Sequence, residues 1–298
     1  MRKAFIETLI KQARQDNDIW LLVADVGFNL VEPFRDRFPD RFINVGIAEQ
    51  NMIGVAAGLA LSGKKVFCYS LGNFPTLRCL EQIRNDICYH NLPVTIVNSG
   101  AGLYYGALGS SHHATEDIAI MRALPNMSVL SPCDPTETRF CADYIFNQSA
   151  PFYLRLQGSH DENYFNVDTT INCDNIILAT GSITGEALIA KELLRDKKID
   201  VNVLSVPIIK PRSMELFELI YRKKCKRIYT LEEHNLDGGF GSSVLEEVVE
   251  WCEKPLLIYR FGLQDKLCKE VGSQQYLRRL NGIDAEGIAN KIREVVNE

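Results

Sequence analysis

The sequence predicts an α/β fold made of two doubly wound domains, each with a parallel sheet. Three observations carry the prediction. Short apolar runs alternate with longer segments of helical period along almost the whole chain, and the runs read as strands buried on both faces. A polar stretch lacking either period, Gln157 to Asp174, separates two such series. The length, 298 residues, suits two domains with a sizeable core. The expected boundaries are 1–158 for the first domain, 159–173 for the linker and 174–298 for the second.

The opening MRKAFIETLIKQARQDND has apolar residues at helical spacing, and charges interrupt it before a signal-peptide core forms, so it reads as an amphipathic helix. Ile19 to Ala24 is a buried strand. Asp25 closes it, where α/β sheets present ligand-facing residues. Ile43 to Val45 leads into a helix that begins at Glu49. Then come strand Val66 to Tyr69, helix Thr76 to Tyr89, strand Val94 to Asn98 and a glycine-rich loop, Ser99 to Ser111. Helix Thr115 to Ala123, strand Ser128 to Ser131, helix Pro135 to Asn147 and strand Pro151 to Leu156 complete the first series. The second runs through strand Ile176 to Ala179, helix Gly185 to Asp196, strand Val201 to Val206 and helix Ser213 to Lys223. Strand Arg227 to Leu231, helix Ser242 to Cys252, strand Leu256 to Tyr259 and a helical tail follow.

Composition narrows the function classes. Hydrophobic residues make up 46% and charged residues 24%, as in soluble globular proteins. A net charge of -5 gives no support for a nucleic-acid surface, and no apolar run reaches the roughly 18 residues of a membrane span. The nine cysteines include no CxxC pair, which suits reduced, mostly buried thiols and gives no zinc or dithiol site. The expectation is a cytoplasmic protein.

The stretch NVGIAEQNMIGVAAGLALSG, Asn44 to Gly63, is the most informative. Glu49 falls in the first turn of a helix lined with Gly54, Ala56, Ala57, Gly58 and Ala60, which lets a flat ligand or another backbone approach closely. On physical grounds alone the acid also has a purely structural reading, as a complement to the helix dipole. The stretch resembles the pyrimidine-binding segment of the transketolase family of thiamine diphosphate enzymes. In that family the glutamate of this motif hydrogen-bonds the cofactor's aminopyrimidine and favours the imino tautomer that removes the thiazolium C2 proton. The resemblance implies that role for Glu49. It extends over the chain, with SLGNFPTLRCLEQIRND, ALGSSHHATEDIAIMRALPNM, LEEHNLDGGFGSSVLEEV and GSQQYLRRLNGIDAEGI all family-like. It thus implies a pyrimidine-binding domain followed by a transketolase C-terminal domain.

Further site residues follow from the resemblance. Phe74 falls where family aromatics pack on the pyrimidine; taken alone it reads as core. Asp25 and Ile47 complete the implied cofactor pocket. His112 aligns with a family histidine facing the thiazolium and the substrate, and is the second implied catalytic residue. His113, Arg155 and Asn29 are the implied substrate contacts. Without the family, His112 and His113 read as a solvated surface pair.

The departures matter too. Leu77 and Leu80 stand where some members carry further aromatics. Leu108-Gly109-Ser110-Ser111-His112 replaces an Asp-Gly-Pro-Thr-His run that binds sugar hydroxyls. A substrate-facing family histidine falls near Gly100, and a phosphate-binding arginine near Gly158, with Arg155 close by. No Gly-Asp-Gly followed by Asn occurs, so no metal site is expected on this chain. The glycine-rich loop does not fit GxGxxG, and Gly238-Gly239-Phe240-Gly241 before a helix reads as close packing or an anion site.

The resemblance implies the C-terminal subunit of a split transketolase. It would transfer a two-carbon ketol unit from a ketose to an aldehyde, with a non-standard sugar or sugar phosphate as substrate. The partner, an N-terminal subunit in an α2β2 assembly, would hold the diphosphate and its Mg2+ or Ca2+. The alternatives are a decarboxylating synthase of the deoxyxylulose-phosphate type, a 2-oxo acid dehydrogenase β subunit, or a non-catalytic assembly subunit.

Overall fold

The computed structural model describes residues 1–157, 163–164, 167–213, 225–251 and 256–297, together with residues 216, 218, 220 and 223. Most of the predicted helix 213–223, much of the predicted linker, Gly158 and Cys252 lie outside the described residues.

Two sheets form, as the alternating pattern predicts. The first has seven strands: β1 (Ile19–Val23), β2 (Phe42–Asn44), β3 (Lys65–Leu71), β4 (Val94–Ser99), β5 (Ser128–Leu130), β6 (Phe152–Leu156) and β9 (Ile208–Lys210). Their order is β2-β1-β3-β4-β6-β5-β9, parallel except for β9. The second sheet joins β7 (Asn175–Ala179), β8 (Asn202–Ser205), β10 (Arg227–Asn235) and β11 (Leu257–Leu263), all parallel, in the order β11-β10-β7-β8.

Period-2 alternation assigns each strand's residues to one face or the other. Leu21 and Val23 of β1 face α1 (Arg2–Ala13), α2 (Glu32–Arg37) and α6 (Pro135–Phe146). Leu22 and Ala24 face α3 (Glu49–Leu61) and α5 (Asp117–Ala123). The second core is shared between the domains. Met52, Ile53 and Ile118 belong to the same buried cluster as Ile176, Leu178 and Ile228 from the second sheet, and Phe240 and Val244 from α8 (Phe240–Trp251). The other face of the second sheet is covered by α7 (Thr184–Arg195) and α10 (Ala285–Asn297), with α9 (Gln274–Leu280) at its end.

Two elements differ from expectation. The predicted helix 76–89 is broken into a 3-10 turn (Leu77–Cys79), a short α4 (Leu80–Gln82) and a π-helical segment (Ile83–Cys88). Pro75 and the non-helical backbone of Thr76 prevent a continuous start, and the wider π turn lets Ile83, Ile87 and Cys88 all reach the core. Strand β9 was not expected. Its three residues lie between Pro207 and Pro211, too short to show a period, and they pair antiparallel with β5. The second half of the chain thereby adds an edge strand to the first sheet. Lys210 fixes it by donating Nζ–H to the carbonyls of Arg122 and Leu124, at 2.8 and 2.6 Å, where α5 ends. Among the described residues, no helix is long and apolar enough to cross a membrane.

Candidate active site

The parallel strands bring their carboxyl ends to one edge of the first sheet, the position at which such sheets bind ligands. Asp25 follows β1 there, the Asn44–Glu49 turn follows β2, and Gly72 to Phe74 follow β3. Asp25 adopts a left-handed conformation, φ 54°, that carboxamide and carboxylate residues tolerate better than most. Its backbone N–H donates to Asn44 Oδ1 at 3.1 Å, and Asn44 Nδ2 donates back to Asp25 Oδ1 at 3.1 Å. Asn44 Oδ1 also accepts from Gly46 N–H at 3.0 Å. This clasp sets the turn that leads into α3.

Glu49 opens α3 and is only 1% exposed. Its Oε1 accepts from Ser70 Oγ of β3 at 3.2 Å, and its Oε2 from Arg78 Nη1 at 2.7 Å. The Arg78 guanidinium lies 4.2 Å over the Phe74 ring, and its side chain stays 42% exposed. Phe74 meets the His112 ring edge-on, centroids 5.3 Å apart, while Ser111 Oγ lies 3.0 Å from His112 Nδ1. The Tyr105 ring also meets His112 edge-on, centroids 6.5 Å apart. Gly72 is required at the crossing: φ is +50°, and a Cβ there would stand 2.6 Å from the His112 carbonyl oxygen.

Glu49, Phe74 and His112 are thus brought together, with Asp25 tied to them through Asn44. Ile47 sits in the turn before Glu49 and is 77% exposed; Phe28, three residues after Asp25, is 71% exposed. The other three expected residues lie apart. Asn29, also left-handed, donates its backbone N–H to Glu32 Oε1 in the first turn of α2 and lines a groove with Lys3 and Glu7 of α1. His113 is buried, and burial lowers its pKa, so it stands neutral with its ring inside the protein. Arg155 has no face left for a substrate. It is 2% exposed, with Nε on Asp117 Oδ2 at 2.7 Å and Nη2 on the carbonyls of Ala114 and Glu233, each at 3.0 Å.

Arg155 belongs to a buried polar layer between the domains. Tyr153 donates its hydroxyl to the same Asp117 oxygen at 2.5 Å and accepts from Asn98 Nδ2 at 2.7 Å. His234 on β10 stands 3.9 Å from Asp117, and burial depresses its pKa to about 4. It is therefore neutral, donating Nδ1–H to the Asn235 carbonyl and accepting Ala119 N–H at Nε2. Glu232 accepts the N–H groups of Phe240 and Gly241 at the start of α8, and burial pushes its pKa up to about 8. Sequence reasoning missed Arg78 and this layer. Arg78 stands four residues after Phe74, a visible spacing. Glu232-Glu233-His234 was a visible sign as well, three polar residues in a row inside an apolar strand.

The Glu49–Arg78–Phe74 arrangement tests what fits there. A planar, N–H-bearing group already stacks on Phe74 and donates to the buried carboxylate, which are the two contacts an aminopyrimidine needs. Among the described residues, no group of three His, Cys, Asp or Glu side chains is arranged to hold a metal ion.

Comparison with known proteins agrees. Residues 1–160 match the transketolase pyrimidine-binding domain, and residues 164–288 the transketolase C-terminal domain. The chain belongs to the transketolase family, whose cofactor is thiamine diphosphate, and within it corresponds to the C-terminal subunit of a split transketolase. It is 36% identical to one of the subunits of the apulose-4-phosphate transketolase of Actinobacillus succinogenes, over 96% of this chain and 94% of that protein. It is 34% identical to the 6-deoxy-6-sulfo-D-fructose transketolase subunit SqwH of Clostridium sp. strain MSTE9, over 99% of this chain and 94% of that one. A solved structure described as a split gene transketolase, inactive beta4 tetramer, superposes with a TM-score of 0.83 at 32% identity, covering 98% of this chain and 96% of that one.

Proposed function

We propose that this chain is the C-terminal subunit of a two-component transketolase that moves a two-carbon ketol unit from a ketose donor to an aldehyde acceptor. The observation that carries the reading is the buried Glu49 carboxylate facing a flat cation stacked on Phe74. When bound, thiamine diphosphate supplies the nucleophilic carbon and the electron sink for carbon–carbon cleavage. The chain's own residues bind, orient and manage protons. Glu49 holds a proton on the pyrimidine side, with Ser70 fixing its second oxygen. Phe74 stacks on the ring. Asp25 and Asn44 fix the turn, and Ile47 walls the pocket from the solvent edge. His112, half-buried and bonded to Ser111, binds a substrate hydroxyl or transfers its proton. Asn29, His113 and Arg155 have no part in this scheme.

Mg2+ or Ca2+ and the diphosphate are assigned to an N-terminal partner subunit in an α2β2 assembly. The exposed Phe28 and Ile47 beside the site suit burial against that partner, and the reading places the complex in the cytoplasm. The solved beta4 tetramer named inactive supports the need for a second chain. The sugar is a non-standard one. Leu108, 57% exposed, stands in the loop where family enzymes present an acid to sugar hydroxyls, and the relatives are named for apulose 4-phosphate and a sulfofructose.

The test is a mild affinity recovery of the protein from its own cells, read by native mass spectrometry. A complex with a second chain, carrying thiamine diphosphate and a divalent cation, supports the reading. A cofactor-free homo-oligomer as the only species would overturn it in favour of a non-catalytic subunit.

A further inference from the structure

We infer that Glu233, on β10 of the second domain, is a positioning residue for the loop that carries His112. The loop leaves β4 and is closed at its base by reciprocal backbone bonds between Gly102 and Ala114, both 3.0 Å. Between those two residues lie Tyr105, His112 and His113. Its principal anchors come from the second domain rather than its own. Glu233 Oε1 accepts the Leu103 N–H at 2.6 Å, together with Gln157 Nε2 at 3.0 Å and Gln274 Nε2 at 2.7 Å. Arg278 of α9 holds the other oxygen, with Nε 2.5 Å from Oε2, and is itself tied to Glu186 and Ser182.

The opposite end of the loop is held from the same strand. The Glu233 carbonyl and the Ala114 carbonyl share Arg155 Nη2, and Asn235 N–H donates to the Thr115 carbonyl at 2.8 Å. Gly272, just before α9, donates to the Gly106 carbonyl at 3.3 Å. The Leu103 side chain is fully buried and packs in the second domain's own core beside Ile177, Ala179 and Leu277. The approach is close: a Cβ on Gly102, whose φ is +63°, would stand 2.4 Å from Glu233 Oε1. A carboxylate that gathers four donors, from the loop, the end of β6 and α9, has one geometry available, and that geometry fixes where the loop begins. The loop then runs over Gly72 and delivers His112 against Phe74. The second domain therefore acts on the site without touching a reacting atom.

The catalytic consequence rests on the transketolase reading, whereas the docking of the loop does not, so the two are tested separately. Hydrogen exchange on the unmodified full chain needs no substitution that threatens folding. The Leu103 amide should lose protection with denaturant in step with β10, not with exposed loop amides. Glu233→Gln keeps the shape and one acceptor but removes the charge facing Arg278. Amides 103–109 should then exchange at least ~10-fold faster, while α3 and β3 are unchanged. In the assembled complex, assayed well below the variant's melting point, kcat should fall by about 10- to 100-fold with thiamine diphosphate affinity little changed, while the melting temperature falls because the buried Arg278 keeps only Glu186 opposite its charge. A Leu103 amide that exchanges at open-loop rates, or a Glu233→Gln enzyme with unaltered kcat, overturns the inference. An unmodified complex without ketol transfer would instead defeat the functional reading and leave the exchange data to decide the docking.

Discussion

Glu49–Arg78 and Asp117–Arg155 are both carboxylate–guanidinium pairs at 2.7 Å, yet their surroundings give them opposite meanings. In the first, the carboxylate is buried but its arginine remains 42% exposed and rests on an aromatic face, so a ligand with equivalent donors can take its place. In the second, both side chains are 1% exposed or less, and Nη2 of the arginine serves two backbone carbonyls. Nothing can exchange with it. A short ion pair is thus no sign of function by itself; a pair with one replaceable member at a strand's carboxyl end is. The buried pair instead lies within the first domain, and its arginine reaches the Glu233 carbonyl of the second, the strand that also holds the His112 loop.

The comparison breaks most readily at the buried pair. Asp117→Ala leaves the Arg155 charge without its carboxylate in a buried layer, and should destabilise the chain by about 3–5 kcal/mol, read as a shift in the denaturant midpoint. A loss under about 1 kcal/mol would mean that the layer admits water and that the two pairs are alike.

A second effect, somewhat smaller, comes from His234 in the same layer. Its folded pKa of about 4 lies below its usual 6.5, so the unfolded chain takes up the proton first. The stability it contributes is complete above pH 6.5 and declines as the pH falls toward about 4, by on the order of 3 kcal/mol. Glu232, raised to about 8, works in the opposite sense, and its contribution is lost as the pH rises from 4.5 toward 8. Comparing the unmodified chain with His234→Gln isolates the histidine. The variant should show the flatter acid limb in a pH series of unfolding midpoints, and parallel curves would contradict the assignment. The smallest effect belongs to the pair whose arginine is exposed: Arg78→Ala leaves the Glu49 carboxylate with Ser70 and opens it to water, and should cost about 1–2 kcal/mol in the same assay.

The two regions also differ in how far the sequence disclosed them. The strands and most helices were legible because their period is local, whereas Glu49 was expected only from the family resemblance of its segment, since a helix-start acid alone reads equally as a dipole complement. Phe74 and His112 followed from the segments around them. The interface layer was not legible. Asp117 and Arg155, like Glu233 and Arg278, are far apart in the chain within one domain, and only the docking of the domains joins the two pairs, through Arg155 and the Glu233 carbonyl. Arg155 therefore read as a free cation beside a substrate, when its charge is consumed internally. Strand β9 escaped for a related reason, since three residues between prolines carry no period and pair only once the domains have met.

The most direct measurement is the turnover of the assembled enzyme carrying Glu49→Gln, made alongside its melting curve. Glutamine preserves the volume and a contact to Ser70 but cannot hold the proton as a carboxylate does. The account predicts a fall in kcat of about 10²- to 10⁴-fold with assembly intact and stability nearly unchanged. Turnover within a few fold of the unmodified enzyme would contradict it, and would make Glu49–Arg78 a second structural pair.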